Sequence, residues 1–198
     1  MEPRLSDEVD ALAEESHREV LVFDTSPLAH FARQNWLGVL KAVVGPRLAL
    51  VPDVVVDELQ QMSARDSRVR AALEADWIEH RELQTSEEIV AFAKFAALLV
   101  KGERNKGEAG VLALASVVGG IAVVDDGAGR RAARENGIFL KPTLSLLSDA
   151  IRQDLLTVKL VSVLADDLLV SQYRLPFPVG GFESWANENG LFDGHPNS

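Results

Sequence analysis

The chain has 198 residues, of which 47% are hydrophobic and 25% charged, a composition that suits one globular domain or one domain with an elaborated end. It has no cysteine, which excludes disulfides, thiolate metal sites and a cysteine nucleophile, and its four histidines lack a spacing suited to zinc. The net charge of −10 argues against a nucleic-acid binder held by phosphate contacts alone. It leaves open an enzyme that meets phosphates through bound metal ions. No signal peptide or membrane-spanning stretch is recognisable, so we expect a soluble cytoplasmic protein with no membrane partner.

Apolar runs and helical segments follow one another regularly along most of the chain. The predicted strands are 19–23, 48–51, 77–80, 121–124 and 138–140. The predicted helices are 28–43, 53–74, 85–100, 108–118, 127–136, 144–155 and 158–172, with a short last helix ending at Gly190. The alternation predicts an α/β domain with a mainly parallel sheet.

The division of the chain follows from the same pattern. Residues 1–18 are polar and acidic and are expected to form a leader. The α/β domain is expected over 19–150. From Thr143, a predicted helix N-cap, the chain turns helical, and 151–198 is expected to form a helical extension that packs on the domain.

Acidic residues follow several of these strands and helix starts. Asp24 ends the first strand, Glu58 lies just beyond the second, Glu108 begins a helix, and Asp125 and Asp126 end the strand 121–124. In open parallel sheets the functional crevice lies outside the carboxyl ends of the strands. Any one of these acids alone is more often a cap or a surface residue. Together their oxygens suit Mg²⁺ or Mn²⁺, and two such ions can promote phosphodiester cleavage.

Four short motifs carry a family resemblance. They are Asp-Thr-Ser-Pro-Leu at 24–28, Val-Pro-Asp-Val-Val-Val-Asp-Glu-Leu at 51–59, Gly-Glu-Ala at 107–109 and Val-Val-Asp-Asp at 123–126. In this order they resemble the motifs of PIN-domain nucleases, the fold of VapC-type toxins, over about 20–150. The tail, about 165–192, is similar to the C-terminal extension of a prokaryotic PIN subgroup.

The resemblance implies a three-layer α/β/α fold and a metal-dependent endoribonuclease that uses Mg²⁺ or Mn²⁺ and acts on RNA. It implies Asp24, Glu58, Glu108 and Asp125 as catalytic residues and metal ligands, with Asp126 as a further candidate ligand. It also suggests the toxin of a toxin–antitoxin pair, and hence an antitoxin partner.

The chain departs from the family pattern at two positions. Val124 stands where many relatives have Ser or Thr, and Gly110 where some have a second acid.

Four further residues are candidate substrate contacts. Thr25 and Ser26 are expected to cap the helix after the first strand, and a cap beside Asp24 can also orient it. Arg130 and Arg131 lie on a short helix beside the acids, where they either contact substrate phosphates or form a solvated basic face. The sequence favours neither reading over the other.

Other interpretations remain open. A non-catalytic PIN-fold module that binds nucleic acid or a protein is the main alternative. A phosphotransferase of the haloacid-dehalogenase type is disfavoured because Ser26 stands where its second aspartate belongs. A homodimer is expected from apolar stripes on the helices at about 28–43 and 86–100. The three tryptophans, Trp36, Trp77 and Trp185, are expected to lie in the core or an interface rather than to stack on bases.

Overall fold

The structure is a computed structural model that describes residues 19–102 and 104–191. The predicted leader and the last seven residues of the predicted extension lie outside the described residues. The strands are β1 (Val20–Phe23), β2 (Leu48–Pro52), β3 (Ile78–Arg81) and β4 (Ile121–Val123). The helices are α1 (Thr25–Arg33), α2 (Leu37–Val44), α3 (Asp53–Ser63), α4 (Arg70–Leu73), α5 (Ser86–Leu99), α6 (Lys106–Val118), α7 (Gly127–Glu135), α8 (Thr143–Arg152), α9 (Val158–Val170) and α10 (Phe182–Glu188).

The four strands form one parallel sheet in the order β3-β2-β1-β4. β1 consists of four apolar residues, and three of them are fully buried, as expected for a strand covered on both faces. Phe23 pairs with Val123, so β1 and β4 end at the same level. The predicted parallel α/β fold is confirmed. The carboxyl ends of β1, β2 and β4 therefore bring the residues that follow them to one edge.

Helix α6 is deeply buried in the molecule, and it positions one of the acids. Its segment from Val111 to Ala115 is apolar on every side and is fully buried, which is typical of a central helix. A side chain at Gly110 would meet the Val54 side chain at 2.2 Å. The second acid that some relatives carry has no room at this position, because α6 packs directly on α3.

Two predicted helices are each broken in the structure. The helix predicted at 28–43 is interrupted between α1 and α2, where Asn35 has a left-handed φ of +59°. The Trp36 indole N–H then donates to Asp167 at 2.9 Å and ties this break to α9. The helix predicted at 53–74 ends at Ser63, because the Asp66 carboxylate caps a separate 3-10 turn by accepting from the Arg68 N–H at 3.2 Å. A long-range side-chain contact accompanies the first break, whereas a local cap by the Asp66 carboxylate defines the second.

The strand predicted at 138–140 is reduced in the structure to a single parallel bridge beside β4. Only one isolated bridge, between Ala122 and Leu140, joins this segment to β4, and the Phe139 side chain is 71% exposed. Pro142 follows almost at once and has no N–H to extend a ladder. The segment leads directly into α8 instead.

Helices α9 and α10 share a hydrophobic core with the α/β body. Leu164, Leu168 and Phe182 are fully buried in the same cluster as the strands. No helix in the described ranges is long and apolar enough to cross a membrane.

The two stripes expected to form a dimer surface differ. Leu28, Phe31 and Leu40 are buried, so the stripe at 28–43 belongs to the core and this expectation is wrong. On α5, by contrast, Val90 and Leu98 are 69% and 57% exposed.

Candidate functional site

Asp24 lies at the centre of the acidic edge. It directly follows β1, and its N–H donates to the Val123 carbonyl at 3.1 Å, which holds it beside the end of β4. The side chain is buried, and its Oδ1 atom has no hydrogen-bond partner within the described part of the chain. Burial raises the pKa of Asp24 well above its usual range, and the nearby carboxylates of Glu108, Glu58 and Asp125 raise it further.

Glu58 meets Asp24 from the second turn of α3. One of its oxygens, Oε1, accepts from the Gly107 N–H at 3.0 Å, and the other accepts from the Thr25 hydroxyl. A Cβ at Gly107 would lie 2.7 Å from Glu58 Oε2 and 3.1 Å from Asp24 Oδ1, so these two oxygens converge on one small space. The expected capping role of Thr25 and Ser26 is wrong, since α1 has no side-chain cap hydrogen bond. The Thr25 hydroxyl orients Glu58 instead.

Glu108 lies in the first turn of α6 and completes this group. Burial raises its pKa, and the carboxylates of Glu58 and Asp126 add to the effect. The three acids come from β1, α3 and α6. The predicted convergence of Asp24, Glu58 and Glu108 is therefore present in the geometry.

Asp125 is held quite differently. Its Oδ1 accepts from the Thr143 N–H at 2.9 Å, and its Oδ2 accepts from the Thr143 hydroxyl at 2.7 Å and from the Tyr173 hydroxyl. Tyr173 is buried, which raises its pKa well above the usual range, as does the adjacent Asp125 carboxylate. Thr143 is the first residue of α8 and not the predicted N-cap, because Pro142 occupies that position. Asp125 thus anchors α8 and the extension while remaining near Asp24.

Asp126 is the N-cap of α7. It accepts from the Ala128 N–H at 2.7 Å, and its side chain is exposed. Its charge acts on Glu108, whereas that of Asp125 acts on Asp24. The two adjacent aspartates thus serve different corners of the acidic edge.

A cavity of about 240 Å³, here called the acid cavity, opens beside these residues. It is lined by Asp24, Glu108, Asp125, Asp126, Ser26 and His30, and from the extension by Gln172, Tyr173 and Arg174. Sequence reasoning missed Thr143, His30 and Tyr173. The available signal was that Tyr173 is the only tyrosine in the chain, within a tail already singled out.

His30 links α1 to the extension at this cavity. Its Nδ1 lies 2.7 Å from the Ser171 hydroxyl, which itself donates to the Leu168 carbonyl at 2.8 Å. Nδ1 therefore carries the hydrogen of the His30 ring. Burial, together with Arg33, lowers the pKa of His30 to about 4, so the ring is neutral near pH 7.

The donor set at this edge suits a divalent cation. No three acidic or histidine side chains in the described ranges are gathered in ion-binding geometry. Asp24 nevertheless presents a buried carboxylate oxygen without a partner, and the carboxylates around it repel its charge. A bound cation satisfies such an oxygen and offsets the repulsion, and an all-oxygen set favours Mg²⁺ or Mn²⁺.

The two predicted arginines have different surroundings. Arg130 is half-buried, and its Nε has no hydrogen-bond partner among the described residues. Arg131 is exposed on the same helix. Ser26 lines the acid cavity beside Asp24.

The sequence of the chain matches a family of known proteins. Residues 20–179, most of the chain, match the sequence model of a PIN-domain family. The chain belongs to the PIN-domain family. A solved structure with a similar chain is that of VapBC2 from Rickettsia felis bound to a DNA fragment from their promoter. The alignment has 10% identity and a TM-score of 0.45, and covers 62% of this chain and 98% of that one. No curated protein matches this PIN-domain chain.

Proposed function

We propose that this PIN-domain protein is an endoribonuclease that depends on Mg²⁺ or Mn²⁺. The observation that supports it most directly is the buried, unpartnered oxygen of Asp24 among the carboxylates of Glu58, Glu108 and Asp125. Burying like charges together destabilises a fold, so such a cluster is typical of a functional site. Two divalent ions, when bound, would supply a nucleophile and stabilise the leaving oxygen in phosphodiester cleavage.

The residues of the chain divide the remaining work. Asp24, Glu58 and Glu108 are the proposed ligands, and the hydrogen bonds from Thr25 and Gly107 keep Glu58 turned toward Asp24. Asp125 is the fourth proposed ligand, with Asp126 as the further candidate. Each oxygen of Asp125 already accepts a hydrogen bond, so Asp125 also acts by holding the extension against the acid cavity.

The test is cleavage of a mixed pool of single-stranded RNA with Mn²⁺, comparing the wild type with Asp24→Asn. We expect the wild type to cleave and the variant to lose at least about a hundredfold in rate, since a missing metal ligand removes several kcal/mol of charge stabilisation. Asp76→Asn is the matched control, because Asp76 is exposed and pairs with Lys41 at 3.0 Å away from the acid cavity. Equal rates for the wild type and Asp24→Asn would refute the proposal.

A second candidate function is a non-catalytic PIN module. It is favoured by the hydrogen bonds that already occupy Asp125 and by Val124, a buried apolar residue where many relatives carry a hydroxyl. Calorimetric titration separates the two, because a non-catalytic module is expected to show no saturable binding of Mn²⁺.

The antitoxin partner and the homodimer remain predictions. A small neighbouring gene with a DNA-binding pattern would support the antitoxin, and light scattering of wild type against Val90→Glu would test the α5 face.

A further inference from the structure

A second cavity, of about 660 Å³, adjoins the acid cavity on the side of the extension. We call it the arginine cavity, because Arg130, Arg152 and Arg174 all line it. It shares Asp125, Asp126 and Arg174 with the acid cavity, so these three residues separate the two neighbouring spaces. Its volume lies within the range of pockets that enclose small organic ligands.

The charges of the arginine cavity stand out in a chain with a net charge of −10. Arg130 comes from α7, Arg152 from the end of α8, and Arg174 from the segment after α9. Arg152 pairs with Asp149 at 2.9 Å, an aspartate that Lys141 also contacts at 2.9 Å. No ion pair of Arg130 or Arg174 occurs among the described residues. Three arginine side chains from separate elements therefore line one cavity beside the acids of the first cavity.

Besides its charged side chains, the arginine cavity has an aromatic and apolar part, formed mainly by the Trp185 ring. Trp185 on α10 is half-buried and lines the cavity, while its indole is held by Phe177 and Phe182 at centroid distances of 5.3 and 6.2 Å. Leu144 and Leu175 add apolar lining. A fixed aromatic ring beside guanidinium groups suits a base with its phosphate, because bases stack on aromatic rings and Arg binds phosphate oxygens.

A smaller cavity of about 350 Å³ lies on the other side of the acids. Glu58 and Glu108 line it together with Arg65 and Arg104, and Glu108 also lines the acid cavity. Cationic side chains thus flank the acidic group on both sides. This order fits a single strand that crosses the acids, with phosphates held before and after them.

We propose that the arginine cavity is a nucleotide subsite for single-stranded RNA, in which Arg174, Arg130 and Arg152 bind a phosphate and Trp185 stacks on the adjoining base. This proposal rests on the proposed function, since it places the strand that the acids would cleave. It makes the extension part of the binding site, with Arg174 and Trp185 as residues that set substrate affinity. A duplex keeps its bases stacked inside, so the subsite selects unpaired RNA.

The first experiment uses ligands without a phosphodiester bond to cleave. The four nucleoside 5′-monophosphates are titrated while tryptophan fluorescence is followed, with inorganic phosphate as a separate arm. We expect the nucleotides to quench the fluorescence of the wild type. Trp185→Phe should abolish this quenching, whereas Trp77→Phe, the control in which another half-buried tryptophan is replaced, should retain it. Absence of quenching in the wild type, or the same response to phosphate alone, would overturn the proposal.

The second experiment measures the anisotropy of a labelled single-stranded RNA, with Ca²⁺ replacing Mg²⁺ and the RNA checked for integrity. We expect Arg174→Ala and Arg130→Ala each to weaken binding about tenfold and to lower the slope of log K against log salt by about 0.7, the value for one phosphate contact on a single strand. Lys159→Ala, an exposed cation on α9, is the matched control. Unchanged affinity in both arginine variants, or equal affinity for duplex RNA, would overturn the proposal.

Failure of this proposal is distinguishable from failure of the proposed function. If the wild type does not cleave RNA but nucleotides bind with the expected variant pattern, the subsite stands and the nuclease assignment falls. If the wild type cleaves and Arg174→Ala leaves KM unchanged, the nuclease stands and the subsite falls. The subsite predicts a KM raised about tenfold in Arg174→Ala, because Arg174 would bind a phosphate of the substrate.

Discussion

Asp24 and Asp125 follow neighbouring strands of one sheet, yet their surroundings are opposite. Asp24 has a buried oxygen with no hydrogen-bond partner among the residues that the structure describes, and it faces other carboxylates, so its charge destabilises the fold when no cation is bound. Asp125 accepts from the Thr143 N–H, the Thr143 hydroxyl and the Tyr173 hydroxyl, so its carboxylate holds three elements together. A position at a strand end therefore does not define a role. The donors that reach each carboxylate do.

The largest expected effect on stability comes from Asp125→Ala. The substitution removes the acceptor of three donors, all of them on the buried residues Thr143 and Tyr173. The Tyr173 hydroxyl can still donate to Thr143 Oγ1 at 3.0 Å, so two donors on Thr143 lose their acceptor, and each unsatisfied buried group costs about 1–3 kcal/mol. We expect the free energy of unfolding to fall by about 3 kcal/mol in urea denaturation. Asp76→Ala, at an exposed ion pair, should leave it unchanged within error. A small loss for Asp125→Ala would mean that this corner is not an anchor.

Gly107→Ala tests the convergence of Asp24 and Glu58 without removing an acid. Its Cβ would lie 2.7 Å from Glu58 Oε2, so Glu58 must move. We expect a loss of about 1–3 kcal/mol in stability, as for overpacking, and weaker Mn²⁺ binding in calorimetry. Gly38→Ala is the matched control, because a Cβ there meets nothing within 4 Å. Wild-type Mn²⁺ affinity in Gly107→Ala would separate Glu58 from the metal site.

Asp24→Asn is expected to raise the free energy of unfolding, whereas most substitutions of buried residues lower it. In EDTA near pH 7 we expect the variant to be more stable than the wild type by about 1–2 kcal/mol, because it removes a buried charge that neighbouring carboxylates repel. The raised pKa of Asp24 means that its protonated form favours the folded state. That stabilisation is present at low pH and is lost as pH rises through the raised pKa. The advantage of Asp24→Asn should therefore shrink as pH falls.

Thermal melting of both proteins across pH, with and without Mn²⁺, checks this expectation. Mn²⁺ should raise the melting temperature of the wild type more than that of Asp24→Asn, since binding to the folded state alone stabilises it. A variant that is less stable than the wild type in EDTA at neutral pH would show that the Asp24 charge is compensated in the free protein.

The residues that follow strands and begin helices can be predicted from sequence, because strand ends and helix starts are local features. Apolar runs such as 121–124 indicate where a buried strand stops, so the position of Asp24 and of Asp125 follows from the chain itself, although β4 ends one residue earlier, at Val123. The break at Asn35 could not be predicted in this way, because it accompanies a hydrogen bond from Trp36 to Asp167, a residue 131 positions later in the chain. The isolated bridge at Leu140 likewise depends on tertiary packing rather than on the apolar triplet.

The role of Thr143 and Tyr173 was also beyond local patterns. Thr143 has the sequence context of an N-cap, yet its hydroxyl donates to Asp125, 18 residues earlier. The tail signalled an ordered extension through its aromatic, proline and glycine content. It carried no sign that the Tyr173 hydroxyl would reach Asp125, a pairing of residues 48 positions apart.

Tyr173→Phe has the smallest expected effect on stability. It separates the contribution of the Tyr173 hydroxyl to the hydrogen bonds at Asp125 from that of Thr143. It removes one hydroxyl, while both Thr143 donors still reach Asp125, so we expect a loss of about 1 kcal/mol in unfolding free energy. Thr143→Ser is the matched control, because it keeps the hydroxyl that donates to Asp125.

If Tyr173 only supports the fold, RNA cleavage by Tyr173→Phe should equal that of the wild type at temperatures below melting. If its hydroxyl also orients Asp125 toward Asp24, kcat should fall a few-fold while KM for RNA stays unchanged. A loss as large as that of Asp125→Ala would instead place the whole anchor on Tyr173 and leave Thr143 without a stabilising role.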